Sequence, residues 1–308
     1  MEDIVLRTNN LTKKYGSFTA LDHVNLTVRK GDIYALIGRN GAGKTTLMKI
    51  INSLTPKYEG SFELFGNSET QKEDSHKRLG CLIENPAFFP ALTAYQNLKY
   101  YALQKGICNI DAQIAKSLHL VNLTEQRDKK FKNFSLGMKQ RLGIAFALLD
   151  NPDFIILDEP INGIDPIGIR ELRETFFKLN EEENVTIMIS SHILSELYYV
   201  ADHFCILEGG KIARDLTKEA LDKECSKALV IRTSDMPKAT FVLENTLHTN
   251  HYKVINDSEL YLFDFLEHPE QVNAALVTQN VPVMSIAEHG ATLEEYFNSV
   301  IKEVQKNA

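Results

Sequence analysis

Several things are scarce in this sequence, and each scarcity removes a class of function. Four cysteines, Cys81, Cys108, Cys205 and Cys225, are widely scattered with no C-x-x-C pair, so neither a zinc site nor a disulfide framework is signalled. Buried thiols in a reducing cytoplasm are the expectation. No run of about 18 apolar residues occurs, so no segment reads as bilayer-spanning. The amino terminus has two acids near its start and no long apolar core, so it does not read as a signal peptide. Positive charge is short as well: 34 Lys and Arg face 41 Asp and Glu, a formal charge of −7. That balance argues against a nucleic-acid partner, although nine histidines and local lysine clusters leave room for a basic patch. No extended heptad run is present.

What remains is an ordinary globular composition, 44% hydrophobic and 24% charged over 308 residues, enough for about two domains with real cores. The chain is organised around Gly38-Arg39-Asn40-Gly41-Ala42-Gly43-Lys44-Thr45, followed by Thr46, a phosphate-loop pattern. An apolar run, Ile33–Ile37, precedes it as a buried strand. Leu47, Ile50, Ile51 and Leu54 follow at helical spacing. The glycines let backbone N–H groups turn inward, and the helix start presents unpaired donors and a positive dipole end to an anion. Lys44 can reach the β- and γ-phosphates, and the Thr45 hydroxyl suits Mg²⁺. The stretch therefore binds a nucleoside triphosphate.

A second signal is Phe154-Ile155-Ile156-Leu157, an apolar strand ending in Asp158-Glu159-Pro160. A carboxylate pair at the end of a buried strand is costly unless it faces a cation or a reaction. Beside a phosphate loop, Asp158 would hold Mg²⁺ and Glu159 would orient or deprotonate the attacking water. Val185–Ser191 is another buried strand, and His192 stands at its carboxyl end, where ligands gather in open α/β sheets. Phe134-Ser135-Leu136-Gly137-Met138-Lys139-Gln140-Arg141 opens a helix whose Ser135 and Gly137 suit an anion-facing loop. Tyr15, ahead of the phosphate loop, is an aromatic that either stacks on a base or packs half-buried.

The remaining pattern gives antiparallel strands before residue 30, a hairpin strand over 58–66 and a strand over Leu79–Ile83. Helices follow over 93–130 with Leu98, Tyr101, Leu103, Ile114, Leu118 and Leu123 as apolar positions, and a closing hairpin lies near 204–213. Beyond residue 217 the order β-α-β-β-α-β predicts a small ferredoxin-like unit, ending in a helix from Leu293 capped by Thr292 and Glu295.

In this order, the stretches resemble the nucleotide-binding subunit of ABC transporters over residues 3–217 or so. The resemblance implies an α/β P-loop NTPase: an ABC-type core in 1–217 with an antiparallel β subdomain and a helical insertion at about 87–150, and a small α+β domain in 218–308. It places Tyr15 on the adenine, 38–46 on the Walker A loop, 154–159 on Walker B and Phe134–Met138 on the signature. Glu159 falls on the catalytic carboxylate, Asp165 on the D-loop aspartate and His192 on the switch histidine. It implies ATP with Mg²⁺, a head-to-tail dimer with a second copy whose Ser135 and Gly137 cap the γ-phosphate in trans, and separate membrane permease subunits at the cytoplasmic face. Two departures narrow it. The signature reads Phe-Ser-Leu-Gly-Met, and Glu84 stands where the family usually has the metal-binding glutamine of the Q-loop. A carboxylate still ligates Mg²⁺ but adds charge and lacks the amide donor. Both features are similar to the bacitracin-resistance and lantibiotic-immunity subunits, which implies export of a peptide antibiotic. The other readings are a generic drug or lipid exporter, a soluble ABC ATPase without a transport role, or an inactive scaffold; Lys44, Asp158, Glu159 and His192 all being present disfavours the last. Pro86-Ala87-Phe88-Phe89-Pro90 is either a docking surface for the membrane partner or a pin for the insertion.

Overall fold

The computed structural model describes residues 4–68, 72–84, 87–225, 227–290 and 292–306. Two compact units result: residues 1–218 together with 299–308, and residues 219–298. The boundary between them thus falls after Lys218, and residues 299–306 belong again to the first unit.

The first unit opens with a long strand, β1 (Ile4–Tyr15). β2 (Phe18–Val24) and β3 (Thr27–Arg29) pair antiparallel with its carboxyl and amino halves. β4 (Ile33–Ile37) enters the core and α1 (Lys44–Ile51) leaves it. β5 (Glu59–Leu64) then pairs antiparallel with β1, so it closes a four-stranded sheet across the chain and not the local hairpin its sequence suggests. There follow α2 (Lys72–Lys77), β6 (Leu79–Leu82), α3 (Ala94–Gln104), α4 (Ile110–Leu120), α5 (Leu136–Ala147), β7 (Phe154–Leu157), α6 (Pro166–Phe177), β8 (Thr186–Ser191), α7 (Leu194–Tyr198), β9 (His203–Glu208) and β10 (Lys211–Thr217).

The central sheet has six strands in the order β10-β9-β4-β8-β7-β6, parallel except for the β9–β10 hairpin. β4, β7 and β8 are buried along their whole length, the behaviour of parallel strands covered on both faces. β6 is one of the two edges, and its residues alternate between buried and half-buried.

In the helical stretch, α3 starts with a full capping box between Thr93 and Gln96. Leu98, Ile114, Leu118 and Leu123 are buried, whereas Leu103 points outward at 61% exposure. Phe88 is buried, with its ring edge-on to Tyr101, Phe131 and Phe146 at 5.8, 5.1 and 6.4 Å. Phe89 stays exposed against Tyr100. The stretch around them thus divides its work, one aromatic pinning the insertion and the next remaining on the surface. Asn85 and Pro86 lie outside the described residues.

α8 (Lys218–Cys225), which hydrophobic patterning did not predict, leads into the second unit, which contains β11 (Ala228–Thr233), α9 (Met236–Asn245), β12 (Tyr252–Asn256), β13 (Glu259–Leu262), α10 (Pro269–Thr278) and β14 (Val283–His289). Its sheet runs β12-β13-β11-β14, antiparallel throughout. Leu229, Ile231, Leu260 and Leu262 pack with Val242, Leu243, Val272 and Leu276 as a core of its own. α11 (Leu293–Lys306) is capped as its sequence predicts: the Thr292 N–H donates to Glu295 Oε2 at 2.8 Å, and the Glu295 N–H to Thr292 Oγ1 at 3.2 Å. Its last residues belong to the first unit, where Arg214 donates to Glu303 at 2.6 Å and Gln305 to Glu208 at 3.0 Å.

The expectation of buried thiols holds fully for Cys205 alone. Cys81 and Cys225 are half-buried, and Cys108, in the loop between α3 and α4, is exposed.

Gly80, on β6, lies directly under the last turn of α5. A Cβ there would run into the Ala147 carbonyl oxygen and touch the Pro152 ring. Gly80→Ala is expected to cost about 1–3 kcal/mol through overpacking, read as a lower urea midpoint at unchanged m-value.

Candidate functional site

The register of three parallel strands builds the site. Ile37 on β4 lies opposite Ser191 on β8, and Leu157 on β7 lies opposite Ile189. The residues at and after these ends, 38–45, 158–159 and 190–192, therefore emerge along one edge of the sheet. The Gly38 N–H donates to the Ser191 carbonyl at 3.2 Å, joining two of these ends directly.

Between β4 and α1 the loop turns through Gly41 and Gly43 at φ of +85° and +112°. A Cβ on Gly43 would lie 2.6 Å from the Ala20 carbonyl oxygen, so both conformation and space demand glycine there. Lys44 begins α1 and folds back over the loop. Its Nζ donates to the Gly38 carbonyl at 2.6 Å and more weakly to that of Arg39 at 3.4 Å, and it lies 3.2 Å from Glu159 Oε1. Only 5% of this lysine is exposed. A buried ammonium needs this wall of oxygens, and the same wall holds it at the loop's centre. By helix geometry, the N–H groups of the first turn of α1 have no intrahelical acceptor and face an incoming anion.

Across from Lys44 stand the acids. Thr45 Oγ1 donates to Asp158 Oδ2 at 2.7 Å, and Ser190 Oγ donates to Asp158 Oδ1 at 2.5 Å. Ser190 Oγ in turn accepts the Glu159 N–H at 2.8 Å. Glu159 has φ +48°, a left-handed conformation uncommon for a side-chain-bearing residue and of the sort stored at working sites. Its Oε2 lies 2.8 Å from His192 Nδ1. One carboxylate is thus held between an imidazole and an ammonium.

A cavity of about 270 Å³ opens over the loop, lined by Tyr15, Phe18, Ala20, residues 39–46 and Glu159. Tyr15 and Phe18 face each other across the β1–β2 turn, both substantially exposed, with the Lys13 ammonium 4.9 Å from the Tyr15 ring centre. An apolar mouth over a cationic floor suits a base above phosphates.

The structure does not bring the remaining candidates to this cavity. Glu84, left-handed at φ +63°, pairs with Lys49 Nζ at 2.6 Å and is mostly exposed. That carboxylate holds the Lys49 ammonium above its ordinary range. Ser135 caps α5 by accepting the Met138 N–H at 3.3 Å, and Gly137 lies in the first turn of that helix. Asp165 is the N-cap residue of α6, with no side-chain capping bond. Among the described residues no group of three or more His, Cys, Asp or Glu is placed to hold a metal. Thr45 and Asp158 supply two hard oxygens, which fits Mg²⁺ bound partly by substrate phosphates and water.

Sequence reasoning missed Phe18, Lys49 and Ser190. For Phe18 a signal was available, since a two-residue turn at Gly16-Ser17 sets it beside Tyr15. For Ser190 none was, because its partners come from a different strand and its neighbours in sequence look like plain core.

The fold and this edge define a phosphate-loop nucleoside triphosphatase. The family model described as "ABC transporter" matches residues 21–162. A relative named "Bacitracin transport ATP-binding protein BcrA" from Bacillus licheniformis is 40% identical over 298 residues, 96% of this chain and 97% of its own. "Lantibiotic transport ATP-binding protein SrtF" from Streptococcus pyogenes is 46% identical over 208 residues, 68% of this chain and 89% of its own. Among solved structures, an ATP-binding cassette of an ABC transporter in its ADP conformation is similar at TM-score 0.65 with 27% identity, covering 72% of this chain and 94% of that one. An ATP-binding subunit of an ABC transporter is similar at TM-score 0.61 with 29% identity, covering 71% and 92%. The chain belongs to the ABC transporter ATP-binding proteins, and it is an ATPase.

Gly43→Ala forces a side chain onto a left-handed turn and into the Ala20 carbonyl. A strain of about 1.4 kcal/mol or more predicts at least about tenfold weaker ATP binding, measured by titration with a fluorescent ATP analogue, with the fold intact by circular dichroism.

Proposed function

We propose that this protein hydrolyses ATP to energise export of a peptide antibiotic through separate membrane subunits, as a head-to-tail dimer at the cytoplasmic face of the membrane. One observation carries the substrate class: the similarity to the bacitracin transport protein runs through both units, over 96% of the chain. Among the described residues no helix is long and apolar enough to cross a membrane, so the pore belongs to a partner in this reading.

The geometry supports the following chemistry. Adenine stacks on Tyr15, with Phe18 beside it. The backbone of Gly38, Arg39, Asn40, Gly41, Ala42 and Gly43, with Thr46, wraps the phosphates, and Lys44 Nζ draws the β- and γ-phosphate oxygens. Lys44 can do so only by loosening its contact with Glu159. Triphosphate binding therefore frees that carboxylate while His192 keeps its other oxygen in place. Glu159 accepts a proton from water as the water oxygen attacks the γ-phosphorus. The bond to the β–γ bridging oxygen breaks, leaving ADP and inorganic phosphate. Mg²⁺, held by the Thr45 hydroxyl and the Asp158 carboxylate, would neutralise charge developing on the phosphates. Glu84 would join that ion once Lys49 releases it.

Ser135 and Gly137 lie away from their own chain's cavity, at a helix start whose free N–H groups favour an anion. That placement favours a role toward the nucleotide of a second copy. The ferredoxin-like reading of the tail, supported by its strand order, gives it no part in these steps. The acidic net charge gives no support to a nucleic-acid partner.

Glu159→Gln is expected to keep ATP binding and to lose about 10²–10⁴-fold in kcat. Size-exclusion chromatography of this variant should give a monomer without nucleotide and a dimer with Mg-free ATP. A dimer independent of ATP would remove the proposed switch. In cells, loss of the protein should sensitise the host to a cyclic or lanthionine-bridged peptide antibiotic, with rescue by the wild-type chain and not by Glu159→Gln. Unchanged sensitivity to all such peptides would favour a generic exporter or a non-transport ATPase.

A further inference from the structure

Ser190 is fully buried, and its hydroxyl is committed on both sides. It donates to Asp158 Oδ1 at 2.5 Å and accepts the Glu159 N–H at 2.8 Å. Thr45 takes the other oxygen of Asp158 at 2.7 Å. The carboxylate is therefore pinned at both oxygens, and cannot rotate about its terminal bond without losing a bond. The Glu159 N–H bond has a different consequence. Glu159 stands at φ +48°, and a peptide in that region persists only when its surroundings over-determine it. Ser190 supplies such a constraint from the neighbouring strand.

Ser191, next along β8, has separate duties. Its side chain points to the opposite face of the strand, donates to Glu196 Oε2 at 3.2 Å and accepts the Ile193 N–H at 3.1 Å. The second serine shapes the turn that carries His192, while the first orders the acids that His192 meets.

We propose that Ser190 is a positioning residue for hydrolysis, a hydroxyl that locks Asp158 and the backbone of Glu159 into one unit, so that the divalent-ion ligand and the water-activating carboxylate are set together. This rests on the roles assigned above to Asp158 and Glu159. Ser190 is not among the residues that line the cavity, and its hydroxyl bonds go to Asp158 and Glu159, so its route to the chemistry runs through those two residues. A buried serine at a strand end that served packing only would affect stability and every ligand alike. A positioning residue separates them.

The test uses the full chain with Ser190→Ala and, as a variant of nearly equal volume that keeps a weak donor, Ser190→Cys. ATP affinity is measured with chelator present, by a fluorescent analogue. Divalent affinity is measured separately, by Mn²⁺ titration under electron paramagnetic resonance with a non-hydrolysable ATP analogue bound. For Ser190→Ala, ATP affinity without metal should stay within about twofold, while Mn²⁺ affinity and kcat each fall about 10–100-fold, the range for residues that orient a metal ligand. Ser190→Cys should fall between Ala and the wild type, and it carries the same metal measurement should the alanine variant not fold. Wild-type Mn²⁺ affinity in either folded variant overturns the proposal, as does a parallel loss of metal-free ATP affinity and melting temperature. Glu159→Gln run alongside separates the two readings. If it hydrolyses ATP like the wild type, the role of Glu159 fails, whereas the Mn²⁺ result still reports on Ser190 and Asp158.

Discussion

Everything in the site depends on the parallel alignment of β4, β8 and β7. Parallel strands all end at the same edge of a sheet, and their registers here set Ile37 against Ser191 and Leu157 against Ile189. A loop, an acid pair and a histidine far apart in sequence meet only because three strand ends are level. The alignment is held by burial: the three strands have almost no exposed surface, and close packing on both faces leaves them little room to shift. Hydrophobic packing in the middle of the sheet thus fixes ångström-scale distances at its edge.

That edge then carries charges that packing alone would reject. Lys44 is buried, and Glu159 is largely so, with side-chain exposures of 5% and 22%. Each makes the other tolerable, together with the Gly38 carbonyl and His192. This pairing gives the site its logic. A cation balanced by a nearby carboxylate can exchange partners when a more negative group arrives, and a triphosphate is such a group. In the proposed mechanism that exchange would leave Glu159 with one oxygen still held by His192, oriented but no longer neutralised. The left-handed turn at Glu159 fits the same picture, since local strain persists where several bonds converge.

Legibility in the sequence followed locality. The phosphate loop could be read because all its parts lie within a few residues and glycine spacing has few other uses. The acid pair and His192 could be read because an apolar run ending abruptly in polar residues marks a strand end in a parallel sheet. Strand and helix identities followed from hydrophobic period, including the alternation of strands and helices in the tail. What could not be read was set by contacts across strands. Ser190 looks like part of a core strand until β7 is placed beside it. The ion pair of Glu84 with Lys49, well upstream, is written in no local pattern. The partner of β5 is β1 and not its neighbour, a pairing no local pattern encodes. The return of residues 299–308 to the first unit is likewise a matter of contacts made at long range, through Arg214–Glu303 and Gln305–Glu208. Cys108 was misjudged for the opposite reason, since a thiol's burial depends on whether its loop is covered.

The two units also divide the chemistry. Every residue in the loop, the acid pair and the aromatic mouth lies between Tyr15 and His192, within the first unit. The lantibiotic relative matches 68% of this chain and the bacitracin relative 96%. The second unit buries its own leucines, isoleucines and valines in a separate core, so substitutions there need not disturb the strand ends that set the distances around Lys44, Asp158 and Glu159. Distant, independently packed sites contribute additively. A cassette whose geometry is fixed by three buried strands can therefore keep its chemistry constant while the unit attached to it diverges.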